Sequence, residues 1–340
     1  MDATTIGIDL AKDVFEVAIS ARPGQVTQRR RLTRRQFAQF VETLDPSTTV
    51  VMEACGSAHY WARRCQARGA QVRLLPAQHV RPYVRRNKTD QADAAALLEA
   101  HRCAAVHAVP VKTVDHQALQ TLHRVRQQWQ TTRTARINLV RAILREQGVV
   151  FPVGAGALAR RVTAVLEEAA LSPLTAMTVR WLLDELRAID GQLAQMDQQI
   201  LALARTHPVA VRLQQIPGIG PLTATALVAS VPHIGAFRRA RHFASSLGLT
   251  PRETSSGGTR RLGGISKRGD RYLRTLLTHG ARSVLSRADR HPTSRLHQWG
   301  RAVAARRGPN RAASAVANKL ARIVWALWIR EEDFTPRPAA

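Results

Sequence analysis

The stretch Thr5-Ile6-Gly7-Ile8-Asp9 is followed, after a short polar segment, by Val14-Phe15-Glu16-Val17-Ala18-Ile19. Both runs have the apolar, alternating character of strands, and the segment between them is short enough for a tight connection. The sequence therefore predicts a β-hairpin at the start of the chain. It also places Asp9 inside the first strand of that hairpin.

Three further acidic residues stand where the same kind of fold would gather them. Glu53 ends the apolar run 49–52, and Asp90 and Asp93 open an alanine-rich helical segment. Their spacing of three places both helical carboxylates on one face. A strand carboxylate, a strand-end carboxylate and a helical pair form the pattern of an RNase H-like metal site.

Carboxylate oxygens suit Mg²⁺ or Mn²⁺, and two such ions can hold the attacking and leaving oxygens of a phosphodiester. Each acid alone is explained as well by a surface charge, and Asp90 and Asp93 would also suit a helix N-terminus. The conjunction favours the metal site. Asp13 is a weaker candidate across the turn from Asp9, and Lys12 beside it could contact phosphate.

Strand and helix patterns alternate through the rest of the N-terminal region. The sequence predicts a third strand near 26–32, a strand ending at Glu53, a strand at 71–75, and helices over 34–44 and 57–68. Three antiparallel strands followed by βαβ units predict a mixed five-stranded sheet with helices on its faces. The loop before the Asp90 helix is basic and contains Arg81, Arg85, Arg86 and Lys88.

The middle of the chain is predicted to be helical. Apolar residues recur at helical spacing over 114–147, a shorter helix follows over 158–170, and a long one spans 173–206. The last of these has a heptad-like stripe, which fits either an intramolecular hairpin or a coiled coil between subunits. Trp129, Trp181, Trp325 and Trp328 lie at helical spacing with apolar residues, which favours core packing over base stacking.

Two glycine-bearing segments follow. Pro217-Gly218-Ile219-Gly220 resembles a helix-hairpin-helix turn, in which backbone N–H groups face a phosphate, although a glycine-capped helical turn has the same pattern. Residues 254–274 combine Ser255, Ser256 and several glycines with many arginines. Such a segment could hold a nucleic acid, but a flexible loop on a basic surface would have a similar composition.

The net charge of +27 and the pI of about 11.7 favour a polyanionic partner, most simply nucleic acid. The three cysteines have neither zinc-site nor disulfide spacing, which fits a reducing cytoplasm. The chain starts without a signal region, and its apolar stretch at 323–329 is too short to cross a bilayer. We therefore expect a cytoplasmic, nucleoid-associated protein with no membrane partner.

The motifs together resemble the DEDD transposases of the insertion sequence 110 family. The resemblance runs in order from about residue 5 to about residue 290. Besides the acids and the Pro217-Gly218-Ile219-Gly220 turn, it rests on the segments Asn87-Lys88-Thr89-Asp90-Gln91-Ala92-Asp93-Ala94, Leu247-Gly248-Leu249-Thr250-Pro251, Ser255-Ser256-Gly257-Gly258 and Ser266-Lys267-Arg268-Gly269.

This resemblance implies a fold of class α/β plus α with four regions. They are a RuvC-like DEDD domain (1–112), a helical or coiled-coil region (113–206), a C-terminal transposase domain (207–330) and a disordered tail (331–340). It implies that Asp9, Glu53, Asp90 and Asp93 bind Mg²⁺ or Mn²⁺. It also implies a nucleophilic serine, Ser256 or the adjacent Ser255.

The resemblance further implies an RNA-guided DNA recombinase. Donor and target double-stranded DNA would pair with a structured bridge RNA, and a covalent phosphoserine intermediate would preserve the phosphodiester energy. Subunits would assemble as a dimer to tetramer, so that the acids of one copy meet the serine of another. The alternatives are a metal-dependent, structure-specific nuclease that uses water, and a basic binding protein without catalysis.

We expect two groups of nucleic-acid contacts. The basic loop before Asp90 and the helical middle would hold RNA and phosphates, and the C-terminal segments would hold DNA near the serine. The predicted contact residues are Lys12, Arg85, Arg86, Lys88, Gly218, Gly220, Arg260, Arg261, Lys267, Arg268, Arg271 and Arg274.

Overall fold

A computed structural model describes residues 4–22, 25–84, 89–152, 154–168 and 171–335. The chain forms two compact units, Met1–Asp115 and His116–Ala340. The division into three functional regions and a tail remains a prediction, since residues 116–340 form one unit. Among the described helices, none has both the length and the apolar character needed to span a bilayer.

The first unit is built on a mixed five-stranded sheet, as the sequence predicts. Its strands are β1 (Thr5–Leu10), β2 (Val14–Ser20), β3 (Gln28–Thr33), β4 (Thr49–Glu53) and β5 (Gln71–Leu75). The spatial order is β3-β2-β1-β4-β5. The β1–β2 and β2–β3 pairs are antiparallel, whereas β4 is parallel to both β1 and β5.

Helices cover both faces of this sheet. They are α1 (Arg34–Glu42), α2 (Ala58–Ala67), α3 (Ala77–Val80) and α4 (Asp90–Arg102). A capping box starts α1, because the Thr33 side chain accepts from the backbone of Gln36 and the Gln36 side chain accepts from the Thr33 N–H. On the α1 and α2 face, Phe15 stacks on Phe37 with ring centroids 4.4 Å apart.

The helix α4 packs on the opposite face, and glycine makes this packing possible. A Cβ at Gly7 would overlap the carbonyl oxygen of Ala94 and approach Leu98 Cγ to 3.1 Å. Since side chains alternate along a strand, Ile6 and Ile8 enter the α1 and α2 core, while Gly7 and Asp9 face α4. This alternation determines on which side of the sheet the acids lie.

The described residues of the second unit form helices and one β-hairpin. Its helices are α5 (Val114–Glu146), α6 (Ala155–Glu168), α7 (Pro173–Thr206), α8 (Pro208–Leu213), α9 (Pro221–Ser230), α10 (Ala240–Ser246), α11 (Arg271–Ser286), α12 (Arg295–Arg307) and α13 (Pro309–Arg330). The hairpin consists of β6 (Pro251–Glu253) and β7 (Leu262–Ile265). The predicted helix boundaries in the middle of the chain agree closely, and α7 has the predicted limits.

The long helices α5 and α7 form an antiparallel pair within the chain. Three ion pairs join them, and the residue numbers rise on one helix as they fall on the other: Arg126–Asp197, Arg133–Asp190 and Arg136–Glu185. The stripe on α7 is therefore used at least partly inside one subunit. The core prediction for Trp181 is wrong, because this side chain is 62% exposed. Trp181 lies one position outside the apolar stripe of α7.

The remaining helices enclose the main core of the second unit. Trp325 and Trp328 pack against this core as predicted, and Trp325 Nε1 donates to the carbonyl oxygen of Phe237 at 2.8 Å. The first residues of the predicted tail contact the core. The Phe334 N–H donates to Gln215 Oε1 at 2.7 Å, and the Phe334 side chain packs on the core. Residues 336–340 lie outside the described part.

Candidate active site and nucleic-acid interface

The strand acids Asp9 and Glu53 lie side by side in the first unit. The register pairs Ile8 with Met52 on the parallel strands β1 and β4, so the next residues along each strand, Asp9 and Glu53, are neighbours. Both side chains are half-buried. Because they follow Gly7 and Val51 by two residues, they lie on the α4 face of the sheet.

The thiol of Cys55 lies near both of these carboxylates. Burial raises the pKa of Cys55, and the negative charges of Glu53 and Asp9 raise it further. The Cys55 N–H also donates to the Glu53 carbonyl oxygen at 2.8 Å. The sequence did not predict a role for Cys55, because the residues around this thiol depend on the sheet register.

The helical acids stand at the start of α4, as predicted. Thr89 caps the helix by accepting from the Ala92 N–H at 3.2 Å, and this fixes the first turn that carries Asp90. Asp90 is exposed and Asp93 is half-buried. The cap thus explains why the helix begins exactly where the acidic pair starts.

The position of Asp93 follows from its helical neighbours. Asp93, Leu97 and Ala100 share one side of α4, and the latter two pack with Leu75 and Val80 at and beyond the end of β5. Asp93 therefore lies on the side of α4 that is turned toward the C-terminal ends of the parallel strands. Asp9 and Glu53 stand at that same edge.

A carboxylate set of this kind fits a hard divalent cation such as Mg²⁺. Within the residues that the structure describes, however, no three His, Cys, Asp or Glu side chains come close enough to hold one metal ion together. The structure thus brings Asp9 and Glu53 together and places Asp93 on the first turn of the helix that packs on the same face of the sheet. It does not bring all four acids within one coordination sphere. Like charges repel one another, so closer approach of the carboxylates is costly without a cation among them.

A fifth acid in this region was missed. Glu16 is the cross-strand partner of Asp9 on β2, its residue is only 6% exposed, and it pairs with Arg31 Nε at 3.5 Å. Cross-strand partners lie on the same face, so the Glu16 carboxylate lies beside that of Asp9. Counting the hairpin register outward from the turn would have identified Glu16 as the partner of Asp9.

The candidate serines lie on the β6–β7 hairpin of the second unit. Ser256 and Thr259 exchange two backbone hydrogen bonds, of 3.3 and 3.0 Å, around Gly257 and Gly258. Both glycines have positive φ, +54° and +77°, which is the requirement of a tight type I′ hairpin turn. Ser256 therefore stands exposed at the tip of the hairpin.

The two serines have different surroundings. Ser255 Oγ donates to Glu253 Oε1 at 2.8 Å and accepts from the Arg261 N–H at 3.2 Å. Within the described residues, the Ser256 hydroxyl makes no side-chain hydrogen bond. Ser255 therefore ties the two strands together, and Ser256 is available to an incoming group. Glu253 was not a predicted residue, because its role depends on this local contact.

Several backbone contacts hold the base of this hairpin. The Ser266 N–H donates to the Thr250 carbonyl oxygen at 2.8 Å, and the Lys267 N–H donates to that of Gly248 at 3.1 Å. An Arg274 Nη1 donates to the Leu247 carbonyl oxygen at 2.9 Å. The two sequence segments quoted above, 247–251 and 266–269, thus lie against each other. Their contact places both segments at the base of the hairpin that carries the candidate serines.

The predicted nucleic-acid contacts occupy varied positions. Lys12, Arg261, Lys267, Arg268 and Arg271 are exposed, as phosphate contacts require. Arg260 pairs with Glu253 at 3.4 Å, and Arg274 is engaged with the hairpin base. Arg85, Arg86 and Lys88 lie outside the described residues. All these contacts remain predictions.

The glycine turn at 217–220 has a packing role that the motif did not predict. A Cβ at Gly218 would lie 2.6 Å from the Gly280 carbonyl oxygen, so this backbone fits closely against α11. Gly220 is exposed, caps α9 and has open space around its Cα. Of the two glycines, Gly220 is therefore the better placed for a phosphate.

Comparisons with known proteins agree with this arrangement. A model for the DEDD transposases of IS110, described as a transposase, matches residues 6–148. A second model, described as the transposase IS116/IS110/IS902 family, matches residues 210–298. The first match covers the sheet and acids, and the second covers the serine hairpin.

Relatives align over nearly the whole chain. A probable family 20 transposase of Pseudomonas aeruginosa is 44% identical, over 99% of this chain and 100% of the relative. The transposase for insertion sequence element IS1111A of Coxiella burnetii is 40% identical, over 98% and 92%. The transposase for IS1328 of Yersinia enterocolitica is 37% identical, over 96% and 97%. The chain therefore belongs to the IS116/IS110/IS902 family of transposases, with a DEDD domain in its N-terminal half.

Proposed function

We propose that this transposase cuts and rejoins donor and target DNA through a covalent bond between Ser256 and a DNA phosphate. The observation that carries the proposal is the position of Ser256 at the exposed tip of a hairpin, beside a turn of two glycines. The small turn residues allow a DNA backbone to approach the hydroxyl closely. The cations Arg260 and Arg261 follow directly and can hold the phosphate oxygens.

The proposed step conserves phosphodiester bonds. The Ser256 Oγ forms a bond to phosphorus as the bond from phosphorus to one deoxyribose oxygen breaks. The serine proton passes to water, and the departing oxygen takes up a proton. Rejoining is the reverse step with another DNA end, so it requires no ATP.

We further propose that Asp9, Glu53, Asp90 and Asp93 hold Mg²⁺ or Mn²⁺ for this reaction. The adjacency of Asp9 and Glu53 on the parallel strands supports this role for the first two, and the side of α4 that carries Asp93 supports it for the third. A divalent cation there would neutralise the charge that develops on the reacting phosphate. Glu16, which pairs with Arg31, would add a further negative charge beside Asp9 and so favour a cation there.

The partners are also part of the proposal. A structured guide RNA encoded by the element would select the donor and target sites, and copies of the chain would act as a dimer to tetramer. The charge of +27 supports the binding of two kinds of nucleic acid. The exposed Lys12 and the basic segment before Asp90 would contact RNA, and the β6–β7 hairpin would contact DNA.

The test is to trap the covalent intermediate. Purified protein, the flanking RNA of the element, Mg²⁺ and end-labelled donor and target DNA are mixed, denatured and separated on a gel. We expect a protein-linked DNA band that is absent from Ser256→Ala and from Asp9→Asn. The matched control is Asp13→Asn, because Asp13 is an exposed acid across the turn and should leave the band unchanged.

Two results would contradict the proposal. Cleaved DNA without any linked species at any time would favour a metal-dependent nuclease with water as the nucleophile. Binding without cleavage, indifferent to both Asp9→Asn and Ser256→Ala, would favour a binding protein without catalysis.

A further inference from the structure

A large basic cleft lies between the β6–β7 hairpin and the helices α12 and α13, inside the second unit. Its volume is about 1650 Å³, and we call it the C-terminal cleft. Small-molecule pockets usually have volumes of roughly 300–1,000 Å³. A cleft of this size fits a polymer better than a metabolite.

The walls of the cleft are positively charged. The basic side chains that line it include Arg252, Lys267, Arg307, Arg311, Lys319 and Arg322. No acidic side chain among the described residues lines it. Arg330, which also lines the cleft, pairs with Glu332 at 3.9 Å, but none of the six residues just named forms an ion pair within the described part of the chain. The cations of the cleft thus remain available for an anion.

Helix α13 forms one wall of the cleft, and its two faces have different roles. One face carries Val316, Leu320 and Val324 into the main core. The other turns Arg311, Arg322 and small residues between them toward the cleft. Small residues between cations allow a phosphate backbone to come close to the helix surface, as a polyanion requires.

The wall is held in place by contacts near the hairpin. Asn318 Nδ2 donates to the Leu249 carbonyl oxygen at 3.1 Å, which ties α13 to the residues just before β6. The Lys319 ammonium lies 4.5 Å from the centre of the Trp299 ring. Burial, together with Arg295 and Arg322, lowers the pKa of Lys319. An anion in the cleft would relieve this crowding of positive charge.

The cleft is continuous with the serine hairpin. Arg252 of β6 and Leu262 to Ile265 of β7 line it, and the same two strands carry Ser256 at their tip. A nucleic acid in the cleft would therefore run along the hairpin toward the serine. This continuity favours DNA as the occupant over RNA, since DNA carries the phosphate that the serine attacks.

We propose that the C-terminal cleft binds the phosphate backbone of the DNA duplex that is presented to Ser256, an inference that rests on the proposed function. The cleft residues on α12 and α13 lie beyond the C-terminal family match, which ends at residue 298. They extend the DNA contact surface past the predicted segment at 260–274.

The test compares two neighbouring arginines on α12. Arg307 lines the cleft, whereas Arg306 is equally exposed but does not. Both stand in the last turn of the helix, so substitution of either costs the same favourable interaction with the helix dipole. Arg306→Ala is therefore the matched control for Arg307→Ala, and Arg322→Ala tests the wall formed by α13.

The measurement is fluorescence anisotropy with the full chain, a labelled DNA duplex from the end of the element and an RNA duplex of the same sequence. Titrations run from roughly 50 to 200 mM salt. We expect Arg307→Ala and Arg322→Ala each to weaken DNA binding and to lower the slope of log affinity against log salt by about 1. Arg306→Ala should leave both unchanged, and circular dichroism checks that each variant is folded.

The result overturns the proposal if Arg306→Ala and Arg307→Ala weaken binding equally, because the effect is then one of overall charge. It is overturned also if RNA binding falls while DNA binding does not, which would make RNA the occupant. The Ser256→Ala variant should bind DNA with the wild-type slope. A loss of slope in the cleft variants without any covalent adduct in the wild type would support the cleft and refute the serine chemistry.

Discussion

Ser255 donates a hydrogen bond of 2.8 Å to the Glu253 carboxylate, while the neighbouring Ser256 hydroxyl makes no side-chain hydrogen bond to any described residue. Through its contact with the Arg261 N–H, Ser255 also joins the two strands of the hairpin. The hydroxyl groups of the two serines thus have different surroundings. Ser255 braces the hairpin, and Ser256 faces outward at the tip.

This difference predicts the outcome of three substitutions. Ser256→Ala should abolish covalent attachment to DNA. Ser255→Ala removes both hydrogen bonds that brace the hairpin, worth about 1 kcal/mol together at this exposed position, and should lower attachment about fivefold. Glu253→Gln keeps an acceptor and should have a smaller effect. The measurement is the initial rate of linked-band formation. If Glu253→Gln and Ser255→Ala both abolish the band, Ser255 is the nucleophile and Glu253 its base.

The packing of α4 on Gly7 predicts a sharp effect on stability. Gly7→Ala would place a methyl group against the Ala94 carbonyl oxygen, so the helix must shift. We expect the first unit to lose about 1–3 kcal/mol of unfolding free energy in urea. Since the shift moves Asp93 relative to Asp9, attachment to DNA should fall as well.

The matched control is Gly56→Ala. Gly56 is exposed, and nothing lies within 4 Å of the position that its Cβ would take. We expect it to retain the stability of the wild type within about 0.5 kcal/mol. If both variants unfold alike, the close approach of α4 to β1 is not as described.

The fold could be predicted from the sequence because its signals are local. The alternation in β1 and β2, the cap at Thr89 and the long apolar stripe of α7 each decide one element. Trp181 could not be placed in this way. Helical spacing gives a residue its face on the helix, but which part of that face a neighbour covers depends on tertiary packing.

The site was predictable only in part, for the same reason. Asp9, Glu53, Asp93 and the serines stand in recognisable motifs. Glu16 became visible only through the register of β1 and β2. The cleft arginines on α12 and α13 face the hairpin only after residues more than forty positions apart in the sequence come together, as Asn318 and Leu249 do.

The buried His123 predicts a dependence of stability on pH. Thr225 Oγ1 donates to the Pro221 carbonyl oxygen, so His123 Nε2–H donates to Thr225 Oγ1, at 3.1 Å. Nδ1 then accepts from the Tyr272 hydroxyl, also at 3.1 Å. This network requires a neutral ring, and burial, with the charge of Arg126, lowers the pKa of His123 from 6.5 to about 4.

The direction of the effect follows from proton uptake. Between pH 6.5 and 4 the unfolded chain binds a proton on this ring that the folded chain does not. The stability that His123 contributes is therefore complete above pH 6.5 and falls by about 3 kcal/mol as the pH drops to 4. Urea unfolding across this range should show a shallower dependence in His123→Gln.

Some dependence on pH should remain in that variant, because burial also lowers the pKa values of His101 and His297. The control is His242→Gln, since His242 lies exposed in the same unit. It should retain the wild-type dependence. An unchanged profile in His123→Gln would show that the pKa of His123 does not differ between the folded and unfolded chain.

Mixing two inactive variants tests whether copies of the chain share one reaction site. If the acids of one copy act with the serine of another, a mixture of Asp9→Ala and Ser256→Ala contains assemblies with one intact combination. Each mixed dimer has one of its two sites intact, so attachment in the purified mixed assemblies should recover to roughly half of the wild type. The variants are co-expressed with different tags, and mixed assemblies are purified before the gel assay.

As a control, the double variant Asp9→Ala/Ser256→Ala assembled with Ser256→Ala has no intact serine and should form no adduct. Mixed assemblies without any linked DNA would show that each copy needs its own acids and its own serine.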